Sequence, residues 1–228
     1  MLRNVGVVIP AAGRGARAGS GTPKQLRPLG GVPMLLRALR PFAAHPRVRE
    51  IAVALPEDIV SHPPAWLAEL TGERLHLVSG AGTRSASVAR ALAALAPECN
   101  VVLVHDAARP FVSRETIDDV LRVVDQGRAA VAAIPVGDTL KRADPSSNTV
   151  VATVDRTDLW RAQTPQGFPR EALERGVRFA QQSGQQPTDD AGLVESVGVP
   201  VVLVPDRTSN FKVTTPDDLE MADLLASQ

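Results

Sequence analysis

The sequence has few aromatic residues and no excess of charge of either sign. Aromatic side chains make up 3% of the 228 residues and tyrosine is absent, so there are few surfaces on which the bases of a single strand could stack. Lysine and arginine total 25, and aspartate and glutamate also total 25, giving a formal net charge of zero. Because sequence-independent binding to nucleic acid needs a basic surface, we expect no nucleic acid partner.

Cysteine and long apolar stretches are also scarce. The single cysteine, Cys99, cannot form an intramolecular disulfide or a cysteine-rich zinc site. Proline, glycine or charge interrupts every apolar stretch before it reaches the roughly 18 to 20 residues that span a bilayer. The residues near Met1 do not combine a basic segment, a long apolar run and a cleavage site. These absences predict a soluble, cytoplasmic protein with no membrane partner.

Short β-branched runs alternate with amphipathic segments along the chain. The runs predict six buried strands: Val5–Ile9, Ile51–Leu55, Leu75–Val78, Val101–His105, Ala129–Ile134 and Val199–Val204. Apolar residues spaced by three and four, or helix-start signals, predict helices over Pro33–Phe42, Ser85–Leu95 and Ser113–Val124 and from Pro216 onward. The alternation predicts an α/β fold with a mostly parallel sheet. The length fits one domain, 1–228, with an appendage.

The alternation breaks between Gly137 and Leu159. Asp138–Arg142 and Thr149–Val154 are predicted strands, and the polar stretch 144–148 between them is a predicted turn. A lone two-stranded hairpin is marginally stable in water, so we expect this protruding arm, residues 137–159, to pack on something. That surface is either a second subunit or the hairpin's own domain, and the residue pattern leaves both open.

A glycine-rich loop follows the first predicted strand directly, over Pro10–Gln25. Ligands of open α/β sheets bind beyond the carboxyl ends of the strands, where glycine-rich backbone can approach phosphate closely. Small residues keep that space clear: Ala11, Ala12 and Gly13. Arg17 and Lys24 add two fixed cations, which suit a triphosphate or the charge that accumulates in nucleotidyl transfer. A surface loop with two solvated cations is the alternative.

The loop departs from two familiar phosphate-binding motifs. Gly13 and Gly15 begin the dinucleotide pattern, but Ala18 stands where its third glycine is expected. This spacing makes a nicotinamide dehydrogenase a poor fit. A Walker loop needs a hydroxyl residue after its lysine, whereas Gln25 follows Lys24.

The fourth predicted strand runs into the segment VHDAARPF, residues 104–111. A strand-end carboxylate such as Asp106 is well placed to hold a divalent cation. Mg²⁺ accepts one or two carboxylates together with phosphate oxygens and water, so one aspartate can suffice. Arg109 could grip an incoming phosphate, and we interpret His105 as a structural histidine. A turn or helix cap is the alternative role for Asp106.

These segments carry a family resemblance. Pro-Ala-Ala-Gly-x-Gly-x-Arg followed by Pro-Lys-Gln resembles the signature loop of sugar-phosphate and polyol-phosphate nucleotidyltransferases. His-Asp-Ala-Ala-Arg-Pro-Phe resembles the 2-C-methyl-D-erythritol 4-phosphate cytidylyltransferase family, and the likeness continues to Leu219 through these segments: Gly80–Ser87, Asp138–Arg142, Val154–Arg156, Leu159–Gln166, Thr188–Asp190 and Asn210–Thr214. The resemblance implies a Rossmann-like three-layer nucleotidyltransferase fold and a homodimer whose arm completes the other subunit's site.

By this resemblance CMP passes from CTP to 2-C-methyl-D-erythritol 4-phosphate with the help of Mg²⁺, and several residues acquire expected roles. Catalysis falls to Arg17 and Lys24. Nucleotide binding falls to Pro10, Ala11, Ala12, Gly13, Gly15, Gly82, Arg84, Ser87 and Asp106. Binding of the phosphate acceptor falls to Asp106, Arg109, Thr139, Arg156, Thr164, Thr188 and Lys212, and Asp106 is also the metal ligand. The family often has an acid near Gly82 or Thr83, which this chain lacks, so backbone contacts to the base are favoured there.

Two other functions stay open from the sequence. A cytidylyltransferase for another polyol phosphate, such as ribitol 5-phosphate, would use the same loop, although its relatives usually differ around Asp-Ala-Ala-Arg. A catalytically silent nucleotide-binding module is disfavoured by four charged residues together: Arg17, Lys24, Asp106 and Lys212. Because the chain ends soon after Lys212, we expect no fused second enzyme of the kind that some relatives carry.

Overall fold

The computed structural model describes residues 4–13, 23–72, 74–185 and 187–227. The strands in these parts of the chain are β1 (Val5–Pro10), β2 (Pro28–Leu29), β3 (Val32–Pro33), β4 (Val48–Leu55), β5 (Leu75–Ser79), β6 (Val101–Val104), β7 (Ala129–Pro135), β8 (Leu140–Ala143), β9 (Val150–Val154), β10 (Trp160–Pro169) and β11 (Val201–Pro205). The helices are α1 (Met34–Ala43), α2 (Glu57–Ser61), α3 (Ala65–Ala68), α4 (Arg84–Ala93), α5 (Arg114–Val124), α6 (Arg170–Ser183), α7 (Asp190–Glu195) and α8 (Pro216–Ala226), with a short 3-10 turn over Lys24–Leu26.

Seven strands form the central sheet in the order β11-β7-β10-β6-β1-β4-β5. β1 pairs in parallel with both β4 and β6, with Val7 opposite Ile51 on one side and Leu103 on the other. β10 runs antiparallel between β6 and β7. All six predicted strands are present, which confirms the mostly parallel α/β fold. The sequence does not predict β10, which is the seventh strand of this sheet.

Helices cover both faces of the sheet, because the strand residues alternate between two apolar clusters. Val7 on one face packs in a cluster that includes Phe42 of α1 and Ile117 of α5. Val8 on the other face packs with Val88 of α4 and Leu173 of α6. The result is three layers, helix, sheet and helix, in which the carboxyl ends of the parallel strands share one edge.

Helix starts follow the expected side-chain chemistry. The Ser113 hydroxyl accepts a hydrogen bond from the Thr116 amide at 3.1 Å and caps α5, as the sequence predicts. Thr215 and Asp218 form a capping box at the start of α8. Among the described helices, none is both long and apolar enough to cross a membrane.

The predicted hairpin is present as a separate two-stranded sheet. β8 pairs with β9 in antiparallel register, with Leu140 opposite Val154. The turn is held by the Asp144 carboxylate, which accepts the Ser146 amide at 2.9 Å. Val150 is 58% exposed and Val151 is 65% exposed, so the arm presents apolar surface to solvent in the single chain.

Candidate active site

A cavity of about 380 Å³ opens at the carboxyl edge of β1, β5 and β6. Most of the predicted nucleotide-binding residues line it, together with both described lysines of the predicted site: Pro10, Ala11, Ala12, Gly13, Lys24, Gly82, Arg84, Ser87, Asp106 and Lys212. Gly15 and Arg17 lie outside the described residues. The parallel strands thus bring together segments that are about 200 residues apart in the sequence, as the strand-edge rule predicts.

Two hydrogen bonds hold the end of the glycine-rich loop, one to the start of the same loop and one to the loop before α8. The Gln25 side chain is 4% exposed and donates to the Ala11 carbonyl at 2.6 Å. The Lys24 ammonium donates to the Val213 carbonyl at 2.5 Å. Sequence reasoning assigned no role to Gln25, although it belongs to the Pro-Lys-Gln motif.

A second loop, between β5 and α4, forms the facing wall. A Cβ at Gly80 would lie 2.1 Å from the Ala12 Cβ, so only glycine allows the two loops to approach this closely. The Ser87 hydroxyl accepts the Ala81 amide and donates to the Thr83 carbonyl, both at 2.9 Å, and so fixes the backbone of the loop. A Cβ at Gly82 would enter open space, with no atom of the described chain within 4 Å.

The Asp106 carboxylate lies at the floor of the cavity between two cations. Arg84 Nη2 contacts its Oδ1 at 3.1 Å, and Lys212 Nζ contacts its Oδ2 at 2.8 Å. Burial alone would raise the pKa of Asp106, but the Arg84 and Lys212 charges outweigh burial and hold that pKa well below its usual range. The carboxylate is therefore ionised at any physiological pH.

Asp190, at the first position of α7, is a member of this charge cluster. It is 0% exposed, and its Oδ2 lies 2.7 Å from Arg84 Nη1. Burial raises the pKa of Asp190, while the Arg84 charge opposes that rise. Burial by itself would lower the pKa of Arg84, but Asp190 and Asp106 together raise it. Sequence reasoning placed Asp190 in a family segment without giving it a role, because only the fold brings it to Arg84.

A buried chain of hydrogen bonds supports Asp106 from below. The Asp106 amide donates to the Thr164 hydroxyl at 3.0 Å, and that hydroxyl lies 3.0 Å from His105 Nδ1. His105 Nε2 lies 2.9 Å from the Arg109 carbonyl, which can only accept, so the proton of the neutral ring belongs on Nε2. Burial lowers the pKa of His105 to about 4. The histidine is thus neutral and structural, which agrees with its predicted role.

Thr164 and Arg109 are more deeply placed than the predicted acceptor contacts suggest. Thr164 is 4% exposed and Arg109 is 8% exposed. Arg109 Nη1 donates to the Asn210 carbonyl at 2.7 Å, and burial lowers the pKa of the guanidinium. Both residues lie directly behind Asp106 in the structure; their contact with a substrate stays a prediction.

Three other predicted acceptor contacts lie apart from the cavity and are exposed. Thr139 and Arg156 belong to the arm, and Thr188 lies just before α7. Arg156 Nη1 donates to the Gly137 carbonyl within the same arm. In the single chain these residues do not join the cluster around Asp106, and their substrate contacts stay predictions.

The donor set at this edge suits a metal that takes most of its ligands from substrate. In the parts of the chain that are described, no group of three or more His, Cys, Asp or Glu side chains could hold a metal ion. Asp106 supplies one ionised carboxylate in the cavity wall, which fits the preference of Mg²⁺ for one or two carboxylates together with phosphate oxygens. The Lys212 side chain is 42% exposed, so it has room to leave Asp106 when a metal and phosphates arrive.

Comparison with known proteins places this geometry in a family. The family model of IspD, 2-C-methyl-D-erythritol 4-phosphate cytidylyltransferase, matches residues 5–228. A protein of that name from Streptomyces coelicolor is 44% identical over 230 residues, covering 97% of this chain and 84% of its own. One from Salinibacter ruber is 44% identical over 220 residues, covering 96% of this chain and 91% of its own.

Solved structures agree. The crystal structure of the Thermus thermophilus enzyme of the same name superposes with a TM-score of 0.82 at 37% identity, covering 97% of this chain and 98% of that one. The Francisella tularensis structure gives a TM-score of 0.83 at 32% identity, covering 97% and 99%. The family model matches nearly the whole chain and the solved structures share its fold over 97% of its length, so the chain belongs to the 2-C-methyl-D-erythritol 4-phosphate cytidylyltransferase family.

Proposed function

We propose that the chain transfers CMP from CTP to 2-C-methyl-D-erythritol 4-phosphate, the reaction of its family, by direct in-line attack. The products are 4-diphosphocytidyl-2-C-methyl-D-erythritol and pyrophosphate. The observation that carries the proposal is the ionised Asp106, held between Arg84 and Lys212 at the floor of a cavity that residues 10–13 and Lys24 also line.

The nucleophile is a phosphate oxygen of the acceptor. A phosphate monoester has its second pKa at about 6, so it is largely dianionic at neutral pH and needs no general base. The new bond joins that oxygen to the α-phosphorus of CTP, and the bond from the α-phosphorus to the bridging oxygen of pyrophosphate breaks. No proton has to move, which is consistent with the buried, neutral state of His105 beside the site.

The chemical problem is therefore to bring two anions together in line. Lys24, with Arg17, stabilises the charge on the α-phosphate and on the departing pyrophosphate. Lys212 turns from Asp106 to the acceptor phosphate, and Arg84 keeps its pair with Asp190. This exchange is supported by the partial exposure of Lys212 and the complete burial of Asp190.

Asp106 would hold Mg²⁺, which would supply charge neutralisation at the phosphates of the bound triphosphate. Asp106 is suited to this role because its carboxylate stays ionised. The cytosine ring meets the loop 80–83, whose backbone is fixed by Ser87 and by the close approach of Gly80 to Ala12.

The acceptor side is completed by the arm of a second subunit. Thr139 and Arg156 are exposed on an arm whose Val150 and Val151 also face solvent, and a two-stranded hairpin gains stability by packing on a surface. A homodimer with exchanged arms would bring Arg156 to the acceptor phosphate of the neighbouring site. Both substrates are multiply charged phosphates, which favours the cytoplasmic location predicted from the sequence.

The test is pyrophosphate release from CTP and Mg²⁺ with three parallel reactions: 2-C-methyl-D-erythritol 4-phosphate, ribitol 5-phosphate and no acceptor. We expect turnover with the first alone. Turnover with ribitol 5-phosphate alone would keep the mechanism and overturn the substrate, while no turnover with either would overturn the enzymatic proposal. Omitting Mg²⁺ and adding a chelator tests the metal in the same assay.

A further inference from the structure

Asn210 ties the loop before α8 to the back of the site. It lies two residues before Lys212 and is 1% exposed. Its side-chain amide donates to the Thr164 carbonyl of β10 at 2.8 Å and to Asp206 Oδ2 at 2.6 Å. The first bond crosses to another element, and the second closes the loop on itself.

The main-chain carbonyl of Asn210 also joins this loop to other elements, because it accepts two side-chain hydrogen bonds. It accepts a hydrogen bond from Arg109 Nη1 at 2.7 Å and one from the side-chain Nε2 of Gln163 at 3.2 Å. The position of this one peptide group therefore fixes the guanidinium of Arg109. Because all three residues are buried, a shift of the loop would leave polar groups without partners, which is costly.

Two routes lead from Asn210 to Asp106. Through β10, Asn210 holds the Thr164 carbonyl, and the Thr164 hydroxyl accepts the Asp106 amide at 3.0 Å. Along its own loop, Asn210 is followed by Lys212, whose ammonium contacts Asp106 Oδ2 at 2.8 Å. Among the described residues, Asn210 makes no hydrogen bond to the loops 10–13 and 80–84, which form the nucleotide side of the cavity.

We infer that Asn210 is a positioning residue for the acceptor half of the site. Its amide, by binding the Thr164 carbonyl, sets where Lys212 and Arg109 stand relative to Asp106. The inference rests on the proposed function, in which those side chains meet the acceptor phosphate. The nucleotide half is held by separate contacts and is not set by Asn210.

Asn210→Asp is the first variant. It keeps the side-chain size, removes both donors and places a carboxylate against Asp206. We expect the KM for 2-C-methyl-D-erythritol 4-phosphate to rise about 10-fold, the usual effect of losing a hydrogen bond at a charged site. Turnover should fall as well, because the acceptor phosphate is no longer held in line with the α-phosphorus. The Kd for CTP with Mg²⁺, measured by calorimetry, should change by less than about two-fold.

The double variant Asn210→Asp with Asp206→Asn separates positioning from loop stability. It restores an amide–carboxylate hydrogen bond between positions 206 and 210 with the donor and acceptor exchanged. The Oδ1 of residue 206 can still accept the Thr116 hydroxyl and the Arg207 amide, as Asp206 Oδ1 does at 2.7 Å from each. The bond to the Thr164 carbonyl is not restored. We therefore expect Tm to recover in part, since the buried Thr164 carbonyl still lacks its donor, and the acceptor KM to stay raised.

Val48→Ala is the stability control, since it removes buried methyl groups at the amino end of β4 and should lower Tm without moving either substrate constant. If Asn210→Asp does not fold, Asn210→Ala removes the donors without adding charge. Wild-type turnover tests the proposed function, and each variant is compared with wild type. An acceptor KM that recovers with Tm in the double variant, or a Kd for CTP that rises as much as the acceptor KM, would overturn the positioning role.

Discussion

The charge cluster around Asp106 and the arm of residues 137–159 differ in how far one chain completes them. Asp106 and Asp190 are buried, and Arg84 bridges them with contacts of 3.1 and 2.7 Å. On the arm, Arg156 is exposed and Val151 has 65% of its surface in solvent. The described residues proposed to bind the nucleotide are thus brought together within one chain, whereas the arm presents its predicted acceptor contacts without an opposite wall.

The difference has a physical basis. The Asp106 and Asp190 carboxylates are held by charged partners at low exposure, so the positions of these two groups are fixed before any substrate arrives. A two-stranded hairpin cannot provide this, because it buries too little apolar surface to fix its own side chains. In the proposed homodimer, the carboxylates of the cluster are therefore positioned within each chain, and the acceptor contacts are completed at the subunit interface.

The largest expected effect comes from removing the arm. Deletion of Lys141 through Val151 should release monomers and abolish turnover, because the acceptor half loses its second wall. Light scattering coupled to gel filtration measures the mass, and pyrophosphate release measures the activity. CTP binding should survive, since the deleted residues contribute nothing to the cavity lined by Asp106.

Val151→Asp provides the same test without shortening the chain. It places a charge on an exposed apolar position of β9 and should shift the dimer toward monomer while circular dichroism stays unchanged. A monomer of either variant that turns over at the wild-type rate would show that one chain contains the whole site.

On the rigid half, Lys24→Ala should lower kcat about 10² to 10³-fold, the usual cost of one preorganised charge donor. The KM for CTP should rise less than kcat falls, because the ammonium acts mainly on charge that develops during transfer. Lys141→Ala is the matched control: this lysine is exposed on the arm and donates to the Thr153 hydroxyl at 2.7 Å. An unchanged kcat in Lys24→Ala would remove Lys24 from the mechanism.

The same contrast explains what sequence could predict. Continuous apolar runs identify strands that are buried on both faces, and hydroxyl residues at helix starts identify caps such as Ser113. β10 has no such signal, since Gln163, Thr164 and Gln166 are polar yet at most 5% exposed. Their burial is compensated by hydrogen bonds across the fold, which no local pattern reveals.

Some site residues can likewise be placed from the sequence, and others cannot. The glycine-rich loop and Asp106 can be placed from local order, because both follow strands whose carboxyl ends share an edge. The partnership of Arg84 with Asp190 depends on the fold bringing together the starts of α4 and α7, which are over 100 residues apart in the sequence. Asn210 was visible only as part of a motif, and its contacts with Thr164 and Arg109 give that motif a physical reason.

A pH titration of stability, compared between wild type and a His105 variant, tests whether the buried His105 is neutral in the folded chain. Burial lowers the pKa of His105 to about 4, against about 6.5 in an unfolded chain. Between these values the unfolded state binds more protons, so stability falls as pH falls below about 6.5 and levels off below about 4. We expect His105 to account for a loss of about 2 kcal/mol between pH 7.5 and pH 5. Urea unfolding of wild type and His105→Gln at both pH values measures it; equal losses in the two proteins would contradict the assignment.

The smallest expected effect, at Arg156, separates acceptor binding from CTP binding most directly. Arg156→Gln should raise the KM for 2-C-methyl-D-erythritol 4-phosphate about 10-fold through loss of one charged hydrogen bond, with CTP binding unchanged. Arg142→Gln, an equally exposed arginine of β8, should leave both constants unchanged. A similar rise in both variants would indicate general attraction by arm charge instead of a contact by Arg156.

Mixing Lys24→Ala with Arg156→Gln then decides which chain uses the arm. With exchanged arms, each mixed dimer has one site with both residues intact and one with neither. Statistical mixing makes about half of the dimers mixed, so about a quarter of wild-type activity should appear at low acceptor concentration. If each arm serves its own chain, no intact site forms and activity stays at the average of the two variants. The arm would then complete a site within one chain, and the contrast between a finished half and an unfinished half would disappear.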